Sequence, residues 1–323
     1  MLTGPSWALA LLGEMHSRSS ARICLLGAAA VAALAPRRVW WFALAATLAT
    51  AATGAAVSLA SRSVVAVRTT AGSFRSAALD SRLHFLVGLP AGYASGARRY
   101  PVIYFLHGLP AAPTAYQSLS WVGAALDKAG GQAILVIPQG TRRMNGDPEY
   151  HDWGPGHNWA TALARELPAY IDAHYRTIAT RAGRALIGES AGGYGATSLG
   201  LHNPQRFSVV ESWSGYFEPT DPIGTSALDL GSDAANNAAS VHTLVRTLKQ
   251  QFRRYPTFLA FYVGRSDPTF VPENLQLNQE LNAFAVPHAF TTYPGGHSTA
   301  LWQLHAATWL SMALNHLAPP TNT

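Results

Sequence analysis

One short run constrains this chain more than any other feature, the sequence Gly-Glu-Ser-Ala-Gly at 188–192. Apolar residues before the run are typical of a strand end, and the stretch 194–201 after it is typical of a helix. A serine on so tight a strand-to-helix turn needs very small neighbours, which Gly188 and Gly192 supply. The pattern predicts that the Ser190 hydroxyl is lifted above a sheet beside a helix N-terminus. A serine that only caps a helix after a glycine turn is the alternative.

Apolar runs that alternate with helix-like stretches place this turn in an α/β fold. Continuous runs, typical of parallel strands covered on both faces, are found at 102–106, 133–137, 185–187, 209–213 and 258–263. The pattern also predicts antiparallel edge strands at 63–68 and 81–87, a strand at 289–292, and helices at 159–174, 274–284 and 299–317. We therefore predict one domain, 63–323, with a mostly parallel central sheet and helices on both faces. The segment 214–240 has little pattern and is predicted to be a loop or lid over the site.

The first 62 residues are predicted to be a membrane leader. Residues 39–61 carry no charge, and a run of this length exceeds the about 20 residues that cross a bilayer. Arginines before this run place the part after it outside the cytoplasm. A second apolar segment, 23–36, is short for a span and is an interfacial helix, half of a hairpin or part of a signal region. The sequence leaves open a retained anchor and secretion after cleavage near Ala60.

Charge and cysteine content exclude several function classes. The net charge of +6 includes +3 from the first 60 residues, which hold four arginines and one glutamate. No basic run or aromatic-interleaved patch indicates a nucleic-acid partner. The one cysteine, Cys24, lies in the leader. The predicted domain therefore has no disulfide, thiol nucleophile or cysteine-based metal site.

Two residues after Ser190 have the positions that a serine nucleophile requires of its partners. Asp267 follows the strand-like run 258–263, and His297 lies on a glycine-rich loop just before the last predicted helix. Hydrolases with this serine turn carry the acid and then the histidine later in the chain. We predict that His297 acts as general base and general acid and that Asp267 orients it. Asp267 as a simple loop cap, and Glu273 as a rival acid, are the alternatives.

The oxyanion of a tetrahedral intermediate needs two N–H donors. One is predicted to be the backbone N–H of Ala191, the residue after the nucleophile. The other is predicted to be Leu109, in the loop after the strand 102–106, where Gly108 allows close backbone approach. Pro110 has no N–H and cannot serve.

Aromatic residues beside these loops are candidate walls of a substrate pocket, although aromatic side chains more often belong to a core. They are Trp153, Trp213, Tyr216 and Phe270. His151 and His157 lie in a turn-rich stretch without an acidic or thiol cluster, so solvated loop positions are favoured over a metal site. Serine–histidine chemistry requires no metal or organic cofactor.

Several motifs taken together resemble the esterase D-like branch of the α/β-hydrolases, which includes S-formylglutathione hydrolases, feruloyl esterases and mycobacterial mycolyltransferases. They are Phe-Leu-His-Gly-Leu at 105–109, the helix 166–172, the turn and helix start at 188–196, Trp-Ser-Gly at 213–215 and Pro-Gly-Gly-His at 294–297. The resemblance covers about 80–315. It implies an α/β-hydrolase fold and a serine carboxylesterase or acyltransferase with the triad Ser190, Asp267 and His297. Leu109 and Ala191 are also the oxyanion donors that it implies.

Two departures from that branch bear on the substrate. Mycolyltransferases have an Asp before the oxyanion Gly-Leu and an Arg after it, where this chain has His107 and Pro110. This difference argues against trehalose mycolyl transfer as such. The membrane leader also distinguishes this chain from the soluble formylglutathione hydrolases. It places the expected substrate at the cell envelope instead of in the cytosol.

Three functions follow as hypotheses. The first is a membrane-anchored serine esterase that acts on small-molecule or lipid acyl esters outside the cytoplasm. The second is an acyltransferase that passes the same acyl group to a sugar or lipid hydroxyl. The third is a non-catalytic envelope-binding protein on a hydrolase scaffold.

Overall fold

The computed structural model describes residues 68–221 and 226–322. The membrane segments predicted at 39–61 and 23–36, the cleavage site near Ala60 and the domain boundary at 62/63 lie outside these residues and stay predictions. None of the helices in the described part is long and apolar enough to span a bilayer.

A sheet of eight strands forms the centre of the described structure. The strands are β1 (Thr69–Ser76), β2 (Ser81–Gly88), β3 (Val102–Leu106), β4 (Ile134–Pro138), β5 (Arg184–Glu189), β6 (Val209–Trp213), β7 (Phe258–Gly264) and β8 (Ala289–Tyr293). Their order in the sheet is β1-β2-β4-β3-β5-β6-β7-β8. Strands β1, β2 and β4 pair antiparallel, and the pairs from β4 to β8 are parallel. The mostly parallel sheet confirms the predicted fold class.

Of the first edge strand predicted at 63–68, only Arg68 lies among the described residues. Strand β1 begins at Thr69, and Arg68 has no regular structure. The turn at 77–80 sets the register, because Ser76 pairs with Ser81 and Thr69 with Gly88. Strand β1 was missed because its side chains are mostly polar and half-buried or exposed, so it lacks an apolar run.

Seven α-helices of the described part lie between strands along the chain, and an eighth follows the last strand. They are α1 (Trp121–Lys128), α2 (Trp159–Thr161), α3 (Leu167–His174), α4 (Ala191–His202), α5 (Asp233–Ala239), α6 (Val241–Arg254), α7 (Val271–Ala283) and α8 (Thr299–Asn315). The predicted helix at 159–174 is continuous but contains a π-helical stretch, Ala162–Glu166, between α2 and α3. The segment 214–240 is not wholly irregular, because it contains α5, whose N-cap Ser232 accepts a hydrogen bond from Ala235 N at 3.2 Å.

The sheet is covered by helices on both faces, because successive side chains of a strand point in opposite directions. On β3, Ile103 and Phe105 pack with α1 and α8. Val102, Tyr104 and Leu106 pack on the other side with α2, α3 and α4. Strands buried in this way need continuous apolar runs, which is what the sequence shows.

The parallel strands bring their carboxyl ends to one edge of the sheet. Ser190 follows β5, Asp267 lies three residues beyond β7, and His297 lies four residues beyond β8. Ligands of open parallel sheets bind at this edge, in the crevice outside the strand ends. The topology therefore places residues that are far apart in sequence around one point.

Candidate active site

Ser190 occupies a strained turn between β5 and α4. Its backbone angles are φ 54° and ψ −124°, a region that residues other than glycine rarely adopt. Ser190 N donates to Trp213 O at 2.9 Å, and Ser190 O accepts from Gly193 N at 2.8 Å. A Cβ at Gly188 would lie 2.1 Å from Gly192 O, and one at Gly192 would lie 2.1 Å from Leu106 O. The tight contacts explain why both positions flanking the serine hold glycine.

His297 joins Ser190 to Asp267 through its two ring nitrogens. Its Nε2 lies 2.9 Å from Ser190 Oγ, and its Nδ1 lies 2.9 Å from Asp267 Oδ2. Because a carboxylate only accepts, Nδ1 carries the proton and Nε2 is left to accept from the serine hydroxyl. The structure thus brings the three predicted side chains together in the order acid, histidine, serine.

Asp267 is held as a carboxylate although its side chain is only 1% exposed. Its Oδ1 accepts from the amides of Thr269 and Phe270, both at 3.1 Å. Burial would raise the pKa of Asp267, but the hydrogen bonds from His297 and from these amides outweigh burial and lower that pKa below its ordinary value. Asp267 therefore does more than cap a loop.

The imidazole of His297 is packed against two aromatic rings and still reaches solvent. Phe270 lies 4.9 Å away between ring centroids, and Trp302 lies 5.2 Å away, nearly perpendicular. Trp302 is fixed in turn by its Nε1, which donates to Ser214 Oγ at 3.1 Å. The His297 side chain is 30% exposed, so a substrate can approach it from outside.

The loop after β3 passes directly over Ser190. A Cβ at Gly108 would lie 2.9 Å from Ser190 Cβ, so only glycine allows this approach. His107 Nδ1 lies 2.8 Å from Gly108 O and donates to it. That carbonyl shares a planar peptide unit with the N–H of Leu109, so the two groups point in opposite directions.

Both predicted oxyanion donors are unengaged. Within 68–221 and 226–322, neither Leu109 N–H nor Ala191 N–H donates to a protein acceptor. Ala191 is the first residue of α4, where a helix leaves amides without intrahelical partners. Two amides near one serine hydroxyl are thus available to a ligand oxygen.

The other predicted residues lie in different surroundings. Glu273 accepts from Phe217 N and Glu218 N and has no contact with His297, so it is not the acid partner. Trp213 is fully buried between Phe105 and Trp309 and belongs to the core, which corrects its prediction as a pocket wall.

The remaining aromatic candidates have separate positions. Phe270 lies against His297, and Tyr216 is buried behind it in a stacked pair with centroids 5.1 Å apart. Trp153 lines a cavity of about 380 Å³ beside the carboxyl-terminal half of α4, as does His151. The residues that line this cavity do not include Ser190, Asp267 or His297.

The two histidines considered as metal ligands have other partners. His151 Nε2 lies 3.0 Å from the Tyr194 hydroxyl, and His157 Nδ1 lies 2.8 Å from Asp147 Oδ2. Burial, followed by repulsion from His202, lowers the pKa of His151 to about 4. The described residues contain no group of three or more His, Cys, Asp or Glu side chains that could hold a metal ion.

Burial shifts the pKa of two glutamates, Glu189 and Glu149, well above its ordinary value. Burial raises the pKa of Glu189, the residue before Ser190, to about 8. Burial also raises the pKa of Glu149 to about 8, against the lowering effect of the hydrogen bond that it accepts from the Tyr216 hydroxyl at 2.7 Å. The raised pKa favours the neutral form of Glu189, which directly precedes Ser190 in the chain.

Three residues of this region were missed by sequence reasoning. Trp302 contacts His297. Tyr150 donates to the backbone of the β3 loop, and the His107 side chain donates to Gly108 O. Trp302 gave a weak signal, since it lies in the first turns of α8 just after His297. Tyr150 gave none, because it lies in a turn-rich loop whose path no local pattern predicts.

The fold and these contacts define a class of protein, an α/β-hydrolase with a serine-centred site. The model of the Esterase family matches residues 76–308, which is more than half of the chain. The chain therefore belongs to this esterase family, and the predicted esterase D-like branch is confirmed.

Curated relatives match shorter parts of the chain. The MPT51/MPB51 antigen of Mycobacterium tuberculosis is 32% identical over 117 residues, 35% of this chain and 37% of that protein. The diacylglycerol acyltransferase/mycolyltransferase Ag85A of Mycobacterium leprae is 34% identical over 74 residues, 23% of this chain and 22% of that protein. Esterase Rv1288 of M. tuberculosis is 25% identical over 208 residues, 56% of this chain and 45% of that protein. The chain thus spans less than half the length of these relatives.

Solved structures agree on the fold. The match to a ferulic acid esterase has a TM-score of 0.66 at 23% identity, and it covers 78% of this chain and 99% of that chain. At this identity the likeness bears on the fold alone.

Proposed function

We propose that this protein is a serine carboxylic-ester hydrolase that works through an acyl-enzyme on Ser190. The observation that carries the proposal is the chain of contacts from Asp267 Oδ2 to His297 Nδ1 and from His297 Nε2 to Ser190 Oγ, each 2.9 Å. A binding protein on the same scaffold would not need a strained serine, an aligned imidazole and two unengaged amides in one place. Membership of the Esterase family supports the same activity.

Acylation proceeds in two proton-balanced steps. Ser190 Oγ attacks the ester carbonyl carbon while His297 Nε2 takes the hydroxyl proton. The carbonyl oxygen becomes an oxyanion that accepts from Leu109 N–H and Ala191 N–H, and Asp267 stabilises the imidazolium. The intermediate then collapses, the bond to the alcohol oxygen breaks, and His297 gives its proton to the leaving alcohol.

Deacylation repeats the sequence with water. His297 takes a proton from water, the resulting hydroxide oxygen attacks the acyl carbon, and the oxyanion forms at the same two amides. Collapse breaks the bond to Ser190 Oγ, which recovers the proton from His297 and releases the carboxylic acid. No step requires a metal or organic cofactor.

Hydrolysis of p-nitrophenyl esters, from acetyl to long acyl chains, tests the proposal with the full-length protein and its Ser190→Ala variant. We expect turnover by the wild type and a loss of roughly 10⁴-fold or more in the variant. Chain-length preference would report how deep the acyl site is. Serine-independent turnover, or a folded wild type that is inert to these esters and to a fluorophosphonate probe, would refute the proposal.

Acyl transfer to an alcohol is the second candidate. It is supported by the similarity to the diacylglycerol acyltransferase/mycolyltransferase, and it uses the same acyl-enzyme with a hydroxyl in place of water. Product analysis with an added polyol separates the two functions. Free acid as the main product supports hydrolysis, and a new ester supports transfer.

The cell envelope is the proposed location of this activity. The proposal rests on the uncharged run 39–61 and the arginines before it. Fractionation of cells that express the full chain tests it, since a retained anchor puts the protein in the membrane fraction and cleavage near Ala60 releases it. Recovery in the cytosolic fraction would contradict both forms of the prediction.

A further inference from the structure

Tyr150 reaches the loop that carries one of the two proposed oxyanion donors. Its hydroxyl donates to His107 O. Its ring lies 5.8 Å from the His107 ring between centroids. His107 Nδ1 in turn donates to the carbonyl of Gly108. Two successive carbonyls of this loop, His107 O and Gly108 O, therefore accept hydrogen bonds. The second belongs to the peptide unit that presents Leu109 N–H.

The same tyrosine touches the helix that carries the other donor. A Cβ at Gly195, on α4, would lie 2.4 Å from the Tyr150 ring, and a Cβ at Gly140 would lie 2.8 Å from it. The ring is thus wedged against the nucleophile helix through space that two glycines leave free. Because Ala191 begins this helix, Tyr150 contacts the carriers of both amides.

The backbone that presents Tyr150 is strained. Asn145, Asp147, Glu149 and Tyr150 all have positive φ, at 53°, 52°, 67° and 60°. Such conformations persist only where the surroundings determine them, and they concentrate at functional sites. Here the determining contacts include those of Tyr150 to the β3 loop and α4.

The Tyr150 hydroxyl is well suited to a fixed bond. Its side chain is buried, and burial, followed by the charges of Glu149 and Glu189, raises the pKa of Tyr150 well above its ordinary value. The raised pKa favours the protonated phenol, which keeps the hydroxyl available as a donor.

We infer that Tyr150 is a positioning residue that sets the spacing between the Leu109 and Ala191 amides. The inference rests on the proposed function, since it concerns the oxyanion of that reaction. Loss of the hydroxyl would free the β3 loop to move relative to α4. The N–H of Leu109 would then meet the oxyanion less well, while the ester itself would still bind.

The test is Tyr150→Phe, measured by kcat, KM and the affinity for a trifluoromethyl ketone. Such a ketone adds to Ser190 and forms a hemiketal whose oxyanion occupies the same two amides. We expect kcat and ketone affinity to fall together by about 10- to 100-fold, less than the ~10²–10³-fold of losing a donor outright. KM should change less than about twofold, as should the affinity for the corresponding alcohol, which forms no hemiketal.

Tyr104→Phe is the matched control. Tyr104 is a buried tyrosine on β3 whose hydroxyl has no hydrogen-bond partner in the described structure. Its loss should leave all four measurements near those of the wild type. His107→Leu, which removes the other tie to the loop, is a second variant and should reproduce the selective loss of ketone affinity.

Each result supports or overturns the inference. The inference is overturned if Tyr150→Phe and Tyr104→Phe bind the ketone equally well. It is also overturned if Tyr150→Phe loses affinity for the ketone and the alcohol in parallel and has a lowered Tm, because that result indicates a structural role. If Tyr150→Phe does not fold, unchanged ketone affinity in His107→Leu overturns it. Failure of the proposed function gives a different result, an inert wild type.

Discussion

Asp267 is suited to its proposed role as the acid partner by opposing effects on one carboxyl. Burial disfavours its charge, and bonds from His297 and two backbone amides restore that charge. An asparagine there would be neutral, and its amide group can donate to Nδ1 and so favour the wrong tautomer of His297. We expect Asp267→Asn to lower kcat by roughly 10³–10⁴-fold, with little change in KM, in a p-nitrophenyl ester assay.

Glu273→Gln is the control for that prediction. Glu273 lies six residues further on and binds the amides of Phe217 and Glu218 instead of His297. Its loss should leave kcat within a few-fold of the wild type. A large loss in Glu273→Gln with activity kept in Asp267→Asn would exchange the two roles.

Residue positions were predictable where chain order and strand ends determine them. Ser190, Asp267 and His297 each follow a strand-like run, and parallel strands must end at one edge. Trp213 shows where this reasoning fails, because its place in the core depends on which face of β6 its side chain takes. Contacts across the fold, such as that of Tyr150 with His107, leave no local trace in the sequence.

The elements that form the nucleophile turn leave no space at its glycines. A Cβ at Gly192 would lie 2.1 Å from Leu106 O and 2.8 Å from His107 O. Both are backbone atoms, so neither can rotate away, and β3 would have to separate from α4. We expect Gly192→Ala to cost about 1–3 kcal/mol of stability, as overpacking does. The displaced serine should also cost at least ~10²-fold in kcat/KM.

Thermal unfolding and ester hydrolysis measure the two effects. Gly96→Ala is the matched control, because Gly96 is exposed and its nearest neighbour would be 3.3 Å from the added carbon. It should change neither quantity appreciably. Equal stability and activity of the two variants would mean that the turn is not as tight as these contacts indicate.

Elements were predictable in proportion to how completely they are buried. The runs at β3 and β6 match the structure to the residue, since their side chains are buried throughout. Strand β1 and α5 were missed. Most of their side chains are half-buried or exposed, so no apolar run or stripe marks them in the sequence. Beyond the described residues, the leader at 1–62 stays a prediction.

At the scale of the whole molecule, three buried glutamates in the part that the structure describes couple folding to pH. Burial raises the pKa of Glu149, Glu189 and Glu211 to about 8 in each case, against an ordinary value of 4.5. Between these values the folded protein holds protons that the unfolded chain releases. Stability should therefore fall as the pH rises from about 4.5 to about 8. Below that window the acids are neutral in both states, and above it the full cost is present.

Glu211 offers the cleanest test of this coupling, because it is fully buried on β6 and is not one of the proposed catalytic residues. Its Oε2 accepts from Trp213 Nε1 at 3.1 Å, and the carboxyl also interacts with the Tyr262 hydroxyl. Glu211→Gln keeps the shape and the acceptor but has no charge to bury. At pH 9 we expect its Tm to exceed that of the wild type by several degrees, since 1 kcal/mol corresponds to about 2–4 °C in a domain of this size.

At pH 5 the same substitution should be neutral or slightly destabilising, because wild-type Glu211 is then protonated and no charge is buried. The Tm difference between variant and wild type, followed from pH 5 to 9, is the quantity to measure. Glu218→Gln removes a charge from an exposed side chain and should give a difference that hardly varies with pH. A flat profile for Glu211→Gln would mean that the protein solvates this carboxylate in its interior, and the predicted fall of stability with pH would lose its cause.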